Sequence, residues 1–187
     1  LGVAALIIVM SVMNGFRAEL MDRILGLNGH LAVSAPLGDG LNDFDSVAKR
    51  LRSVEGVVRV TPIIEGQAMA TVRGTAGGAL VRGIRPADIT KHPSLRNNII
   101  QGKLADFKNK NDIVIGNRFA ERFGLSVGDK ITLIAPSQRV TVFGSVPRLK
   151  NFRIKAIFQI GMYEYDNSFL FVTLKTARTF FKTGAGK

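Results

Sequence analysis

The 187-residue sequence contains no cysteine, no tryptophan and only two histidines. Without cysteine the chain forms no disulfide bond, offers no thiolate nucleophile and has no cysteine ligand for a metal ion. The absence leaves the redox compartment open, because a bacterial periplasm and a cytosol both suit such a chain. His30 and His92 have no carboxylate pair near them in the sequence. We therefore interpret both histidines as structural residues.

Other catalytic signatures are missing as well. Asp43, Asp45, Asp106 and Asp112 do not have the spacing of a metal-binding loop. Residues 183–187 superficially resemble a phosphate-binding loop, but they lack the preceding buried strand and the first glycine spacing of that motif. The sequence therefore predicts a non-catalytic chain that holds neither a metal nor a cofactor.

Positive charge is abundant, with 26 Lys and Arg against 14 Asp and Glu and a formal net charge of +12. Such a balance suits nucleic acid, an anionic membrane surface or an acidic partner. The cations are spread along the chain without a nucleic-acid motif, which argues against nucleic acid. Their one local concentration is Arg148, Lys150, Arg153 and Lys155. A solvated strand face is the simplest interpretation of that concentration.

The longest uncharged stretch is residues 1–16, and Arg17 ends it. Leu20, Ile24 and Leu27 then recur at helical spacing, so we predict one helix over residues 1–27. A secretory signal segment and a buried core helix are alternatives. The chain begins with Leu, which favours the end of a transmembrane helix in a fragment. The residues predicted to lie in the membrane are Leu1, Leu6, Ile7, Ile8, Val9 and Val12.

The rest of the chain predicts an α+β fold. Strands are expected at residues 30–34, 57–64, 67–73 and 79–84, with a helix from residue 42 or 43 to 53 and a hairpin turn at 75–78. The second half predicts strands at residues 112–115, 152–158 and 169–172, and a turn leading into a strand at 125–133. It also predicts helices at 117–123 and 173–183, and a short helix with a loop at 86–98.

Four sequence segments, the last of them residues 169–181, resemble the lipoprotein-releasing ABC permeases of the LolC and LolE type. The first is LGVAALIIVMSVMNGFR at residues 1–17. The second is Gly83-Ile-Arg-Pro86, and the third combines Ile115-Gly116 with GLSVGDK at residues 124–130. The resemblance covers essentially the whole chain, and the turn around residue 128 is shared with MacB-type permeases.

The resemblance implies a fold with a transmembrane helix end at residues 1–27 and a two-lobed, MacB-like periplasmic domain. A porter-like α/β lobe would comprise residues 28–86 and 163–187, and an inserted β-rich lobe would comprise residues 87–162. The full protein would lie in the inner membrane of a Gram-negative bacterium, with this domain in the periplasm.

The resemblance also implies partners. Two permease chains would associate with a cytoplasmic ATPase dimer, so that ATP is bound outside this chain. Together they would release lipoproteins from the membrane to a periplasmic chaperone of the LolA type. The MacB-like alternative is an efflux or mechanotransmission permease that binds an adaptor or channel protein. A soluble small-molecule-binding domain is a third possibility.

Residues 136–147 resemble the hairpin by which one kind of permease docks the chaperone. Thr132, Leu149 and Lys150 occupy the flanking positions where that kind has basic and amide residues, so the resemblance leaves the subtype open. The residues predicted to contact the chaperone are Pro136, Gln138, Arg139, Val142, Phe143, Pro147, Arg148 and Lys150.

Overall fold

The computed structural model describes residues 2–35, 40–41, 43–135 and 147–181. Contacts within the chain divide it into two units, residues 1–33 and residues 34–187. The first unit is the helix α1, Gly2–Asn28. The predicted N-terminal helix is therefore confirmed, whereas residues 30–34, predicted as a strand, are not one.

The second unit combines seven strands with six α-helices among its described residues. The strands are β1 Ile64–Val72, β2 Thr75–Ile84, β3 Ile99–Gly102, β4 Asp112–Gly116, β5 Lys130–Ala135, β6 Arg148–Phe158 and β7 Phe169–Thr173. The helices are α2 Phe44–Arg52, α3 Pro86–Ile89, α4 Pro93–Arg96, α5 Asn117–Phe123, α6 Tyr163–Ser168 and α7 Leu174–Phe181, with a 3-10 helix at Leu104–Asp106. This mixture of helix and sheet confirms the predicted α+β class.

All seven strands belong to one sheet in the order β3-β6-β4-β7-β2-β1-β5. An additional antiparallel pairing joins β5 to residues 148–153 of β6. Six strands thus form a closed ring, and β3 continues the edge of β6 beyond β5. Because the ring is closed, each of its six described strands pairs with a neighbour on both sides, and none has a long unpaired edge.

The ring encloses the main hydrophobic core. Alternate residues of each strand face this core, as a pleated strand requires. Its members include Ala70, Val81, Leu133, Phe152 and Leu170, all nearly or completely buried.

Helices α5 and α7 pack against the ring, and small residues of β1 and β2 make room for their side chains. A Cβ atom on Gly77 would lie 2.9 Å from the Phe123 ring of α5. At the other end of the β1–β2 pair, a Cβ atom on Gly66 would lie 2.7 Å from the Phe181 ring of α7. The rings of Phe180, also on α7, and Phe152 meet edge to face at 6.3 Å.

Strand β7 links the two halves of the chain. It pairs in parallel with β2 and antiparallel with β4. Strands assigned to both predicted lobes therefore share one sheet. The division into a porter-like lobe and an inserted lobe stays a prediction.

Several predicted boundaries are wrong. Residues 57–63 form no strand, and the β1–β2 turn lies at Arg73 and Gly74 instead of at residues 75–78. Both turn residues have positive φ, 46° and 83°, as two-residue hairpin turns of the primed type require. The predicted strands at 112–115, 152–158 and 169–172 and the helix at 117–123 are present.

Candidate protein-docking surface at the end of the β5–β6 pair

The predicted docking hairpin falls mostly outside the described residues. Residues 136–146, with Pro136, Gln138, Arg139, Val142 and Phe143, are not described. The described ends of the segment are Ala135, which closes β5, and Pro147, which precedes β6.

The β5–β6 pairing fixes the direction of the side chains at this end. Leu149 pairs with Ile134, whereas Lys150 pairs with the fully buried Leu133. Because successive residues point to opposite faces, Leu149 faces outward and its two basic neighbours face the ring interior or its rim. Leu149 is accordingly 64% exposed.

The two basic residues are engaged by the protein itself. Arg148 Nη1 donates a hydrogen bond of 3.1 Å to the Phe180 carbonyl oxygen near the C-terminus of α7. Lys150 Nζ lies 5.4 Å from the centre of the Phe152 ring, a cation–π distance. Burial, and secondarily the charge of Lys110, lowers the pKa of Lys150. Their predicted role in attracting a partner stays a prediction.

A row of outward-facing residues runs from Leu149 across four strands. Leu149 on β6 pairs with Ile134 on β5, Ile134 with Met69 on β1, and Met69 with Gly78 on β2. Met69 is 43% exposed, and a Cβ atom on Gly78 would meet no neighbour. We call Gly78, Met69, Ile134 and Leu149 the root surface.

A groove of about 800 Å³ lies along the root surface. Met69, Gly78 and Ile134 line it, together with Ala135 and Pro147 at the two ends of the undescribed segment. None of the described lining residues is charged, although the chain has a net charge of +12. The described lining is thus apolar apart from Gln67 and Ser168.

Sequence reasoning missed the root surface, because its residues come from four strands whose pairing is long-range. Alternation along β1 was the available signal. Ala68 and Ala70 are buried, which turns Met69 outward. An exposed methionine between two small buried residues is the pattern that could have drawn attention to this face.

Residues of the helix α1 that were predicted to lie in a membrane are exposed in the structure. Leu6, Ile7, Ile8, Val9 and Val12 are each 59–67% exposed, and Leu1 lies outside the described residues. Among the described helices, none is long and apolar enough to span a membrane. The membrane assignment of these residues stays a prediction.

Buried polar chemistry is sparse. His92 is buried at 7% exposure, and its Nδ1 atom has no hydrogen-bond partner among the described residues. Burial, followed by the charges of Arg59 and Arg82, lowers the pKa of His92 to about 4. The described part of the chain holds no group of three His, Cys, Asp or Glu residues able to bind a metal.

The sequence is similar to lipoprotein-release permeases. It is 33% identical over 183 residues to the lipoprotein-releasing system transmembrane protein LolC of Neisseria meningitidis serogroup B, covering 97% of the chain and 44% of that protein. It is 27% identical to LolE of Haemophilus influenzae, covering 96% of the chain and 44% of that protein. The chain thus spans less than half the length of these relatives.

Family and structural comparisons agree with one another. The family model of the MacB-like periplasmic core domain matches residues 1–186. The extracellular domain of the ABC-type transporter YknZ from Gram-positive bacteria has a TM-score of 0.53 at 17% identity, covering 80% of this chain and 70% of that one. The periplasmic region of MacB from Actinobacillus actinomycetemcomitans has a TM-score of 0.51 at 15% identity, covering 81% and 66%. At these identities the two structures support the fold alone.

Proposed function

Because the chain belongs to the family of MacB-like periplasmic core domains, we propose that it is the periplasmic part of an inner-membrane ABC permease that releases lipoproteins. The relatives named for lipoprotein release support this assignment, since they match 94–97% of the chain at 27–33% identity. The likeness to MacB is at 15% identity. The efflux alternative is therefore less well supported.

The partners follow from this proposal. A cytoplasmic ATPase dimer supplies the energy, a second permease chain completes the transporter, and lipoproteins are the cargo. The chain itself is non-catalytic and needs no cofactor. Copurification of the full-length protein from membranes, followed by identification of the bound chains, tests these partners. Recovery with a channel or adaptor protein instead of a lipoprotein-release ATPase would contradict them.

The root surface and the adjoining 136–146 segment form the docking site for the periplasmic lipoprotein chaperone. The observation that carries this step is the uncharged, partly exposed row Gly78–Met69–Ile134–Leu149 next to both ends of that segment. A partner seated there covers Leu149 and Met69, which water otherwise contacts. Aromatic anchors dominate such interfaces, and Phe143 is the aromatic residue of the segment.

A calorimetric titration of the chain with the chaperone tests the docking site. Replacing Phe143 by Ala is expected to cost roughly 1–3 kcal/mol of binding free energy, about five- to 150-fold in affinity. The matched control is Phe44→Ala on α2, which removes a half-buried aromatic residue outside the root surface. If Phe143→Ala or deletion of residues 137–146 leaves the affinity of a folded chain unchanged, the segment is not the docking site.

A further inference from the structure

Cations meet around the second half of β6. Arg153 on this strand lies directly opposite Lys130 on β5. Two residues later, the Lys155 carbonyl oxygen accepts a hydrogen bond of 3.4 Å from the backbone N–H of Lys103. Lys103, Lys130 and Arg153 are exposed, and Lys155 is half-buried. Three neighbouring elements therefore carry four cationic residues whose backbones lie close together, and we call these four residues the cationic patch.

Two acidic residues nearby accept hydrogen bonds from backbone N–H groups, and one of them also forms an ion pair with Lys155. Asp112 is 4% exposed and accepts hydrogen bonds from the N–H groups of Lys108 and Asn109, at 3.0 and 2.6 Å. Its other oxygen lies 3.8 Å from Lys155 Nζ. Asp129 accepts a bond of 2.9 Å from the Ser126 N–H. Asp112 is also the cross-strand neighbour of Arg153 on β4. Four cations against these two carboxylates leave the patch with a formal net charge of +2.

The opposed pair Lys130 and Arg153 has no ion-pair partner within the part of the chain that the structure describes. Like charges directly opposite each other on paired strands destabilise a sheet. An arrangement with this cost gains from a ligand that carries negative charge.

Two exposed aliphatic residues flank the cations. Val127 is 39% exposed in the turn before β5, and the next residue, Gly128, donates to the Ile154 carbonyl. Ile100 is 45% exposed on β3, whose neighbouring residue Gln101 pairs with Ile157. Both aliphatic residues thus belong to segments that bind the same stretch of β6 that carries the cations.

We propose that the cationic patch binds the anionic phospholipid headgroups of a membrane surface. Lys and Arg near such a surface gain from its negative potential. Isolated aliphatic side chains beside them can enter the boundary between headgroups and acyl chains. The patch lacks the aromatic stacking residues that single-stranded nucleic acid requires. The inference does not depend on the identity of the docked chaperone.

Vesicle cosedimentation tests the proposal. The chain is mixed with vesicles of phosphatidylcholine alone and with an equal mixture of phosphatidylcholine and phosphatidylglycerol. The measured quantity is the ratio of the two partition coefficients, because exposed apolar residues of α1 add to binding on both kinds of vesicle. The unmodified chain should prefer the anionic vesicles, and added salt should weaken that preference through screening.

The test variant is Lys103→Gln, Lys130→Gln and Arg153→Gln combined. The control variant is Lys49→Gln, Arg50→Gln and Lys91→Gln, which removes three exposed cations elsewhere. The test variant should lose the anionic preference by at least about tenfold, since each cation near the surface contributes roughly a factor of five. The control should lose less than about threefold by the same reasoning. Unchanged circular dichroism and thermal midpoint show that both variants fold.

Three results would overturn the proposal. The first is the absence of an anionic preference in the unmodified chain. The second is an equal loss in the two variants, which means that net charge alone acts. The third is retention of vesicle binding by the test variant together with loss of binding to polyglutamate, which assigns the patch to an acidic protein.

Discussion

The two halves of β6 carry two cations each, but their surroundings differ. In the first half, Arg148 bonds the carbonyl of Phe180 and Lys150 lies over the ring of Phe152. In the second half, Arg153 faces solvent opposite another cation, Lys130. In sequence the four cations of β6 look like one cluster. Strand register, and not charge density along the chain, therefore decides which cations remain available to a partner.

The alternation of side chains along β6 and one β-bulge produce this difference in the surroundings of the cations. Arg148 and Lys150 share the parity of Phe152, which faces the core, whereas Arg153 has the opposite parity. The pairing of β4 with β6 then shifts register, so that Ile113 pairs with Ile154 and Val114 with Ala156. Lys155 is the extra residue in this shift. A bulge of this kind redirects a side chain at the edge of a site.

Among the buried basic side chains, His92 is expected to have the largest effect on how the free energy of unfolding depends on pH. Because its pKa in the fold is about 4 against an ordinary 6.5, the unfolded state binds a proton first as the pH falls. Stability is therefore complete above about pH 7 and is lost as the pH drops toward 4, by roughly 2–3 kcal/mol. Replacing His92 by Gln should remove this part of the pH dependence. Urea unfolding at pH 7 and pH 4.5 measures it, and an unchanged difference between the two pH values would contradict the assignment.

The next largest effect is the difference in stability loss when each of the two arginines of β6 is replaced. Arg148→Ala removes a hydrogen bond from a charged donor to a helix carbonyl and should lower the free energy of unfolding by about 1–2 kcal/mol. Arg153→Ala removes an exposed side chain and should change it by less than about 0.5 kcal/mol. Urea denaturation of the two variants in parallel gives the difference. Equal losses would show that the register does not separate the two residues in the way described.

A smaller effect on the pH dependence of stability is expected at Lys150. Burial lowers the pKa of this amine below its ordinary 10.5, so as the pH rises toward 10.5 the folded state loses the proton before the unfolded state does. The stability contributed through Lys150 therefore rises with pH toward 10.5. Replacing Lys150 by Met should flatten that rise, as seen in thermal midpoints at pH 8 and pH 10. The exposed Lys130→Met is the control and should leave the rise unchanged.

The sequence predicted local elements better than long-range pairing. Strands with clear alternation, such as residues 152–158, were predicted because the core face repeats every second residue. Residues 57–63 are rich in β-branched side chains, yet Val58 is 99% exposed and no strand pairs there. Propensity without a partner does not make a strand.

The predicted position of the β1–β2 turn, residues 75–78, was wrong for a related reason. Gly77 and Gly78 suggested a turn, but both lie within β2, where they pair with Ala70 and Met69 of β1. Glycine at position 77 leaves room for the Phe123 ring. Of the docking site, the sequence indicated residues 136–147 through the resemblance. The root surface depends on the pairings of β6 with β5, β5 with β1 and β1 with β2. These pairings bring together residues up to 80 positions apart in the sequence, from Met69 to Leu149 (149 − 69). No local pattern encodes those pairings.

The most direct test of the central claim is a calorimetric titration of the lipoprotein chaperone into the Leu149→Asp variant. A buried charge without a partner opposes association, so this change on the root surface should weaken binding by at least about tenfold, equivalent to about 1.4 kcal/mol. The triple variant Lys103→Gln, Lys130→Gln and Arg153→Gln serves as the control and should bind within about threefold of the unmodified chain. Unchanged affinity in Leu149→Asp, with the fold intact, would contradict the assignment of the root surface as the docking site.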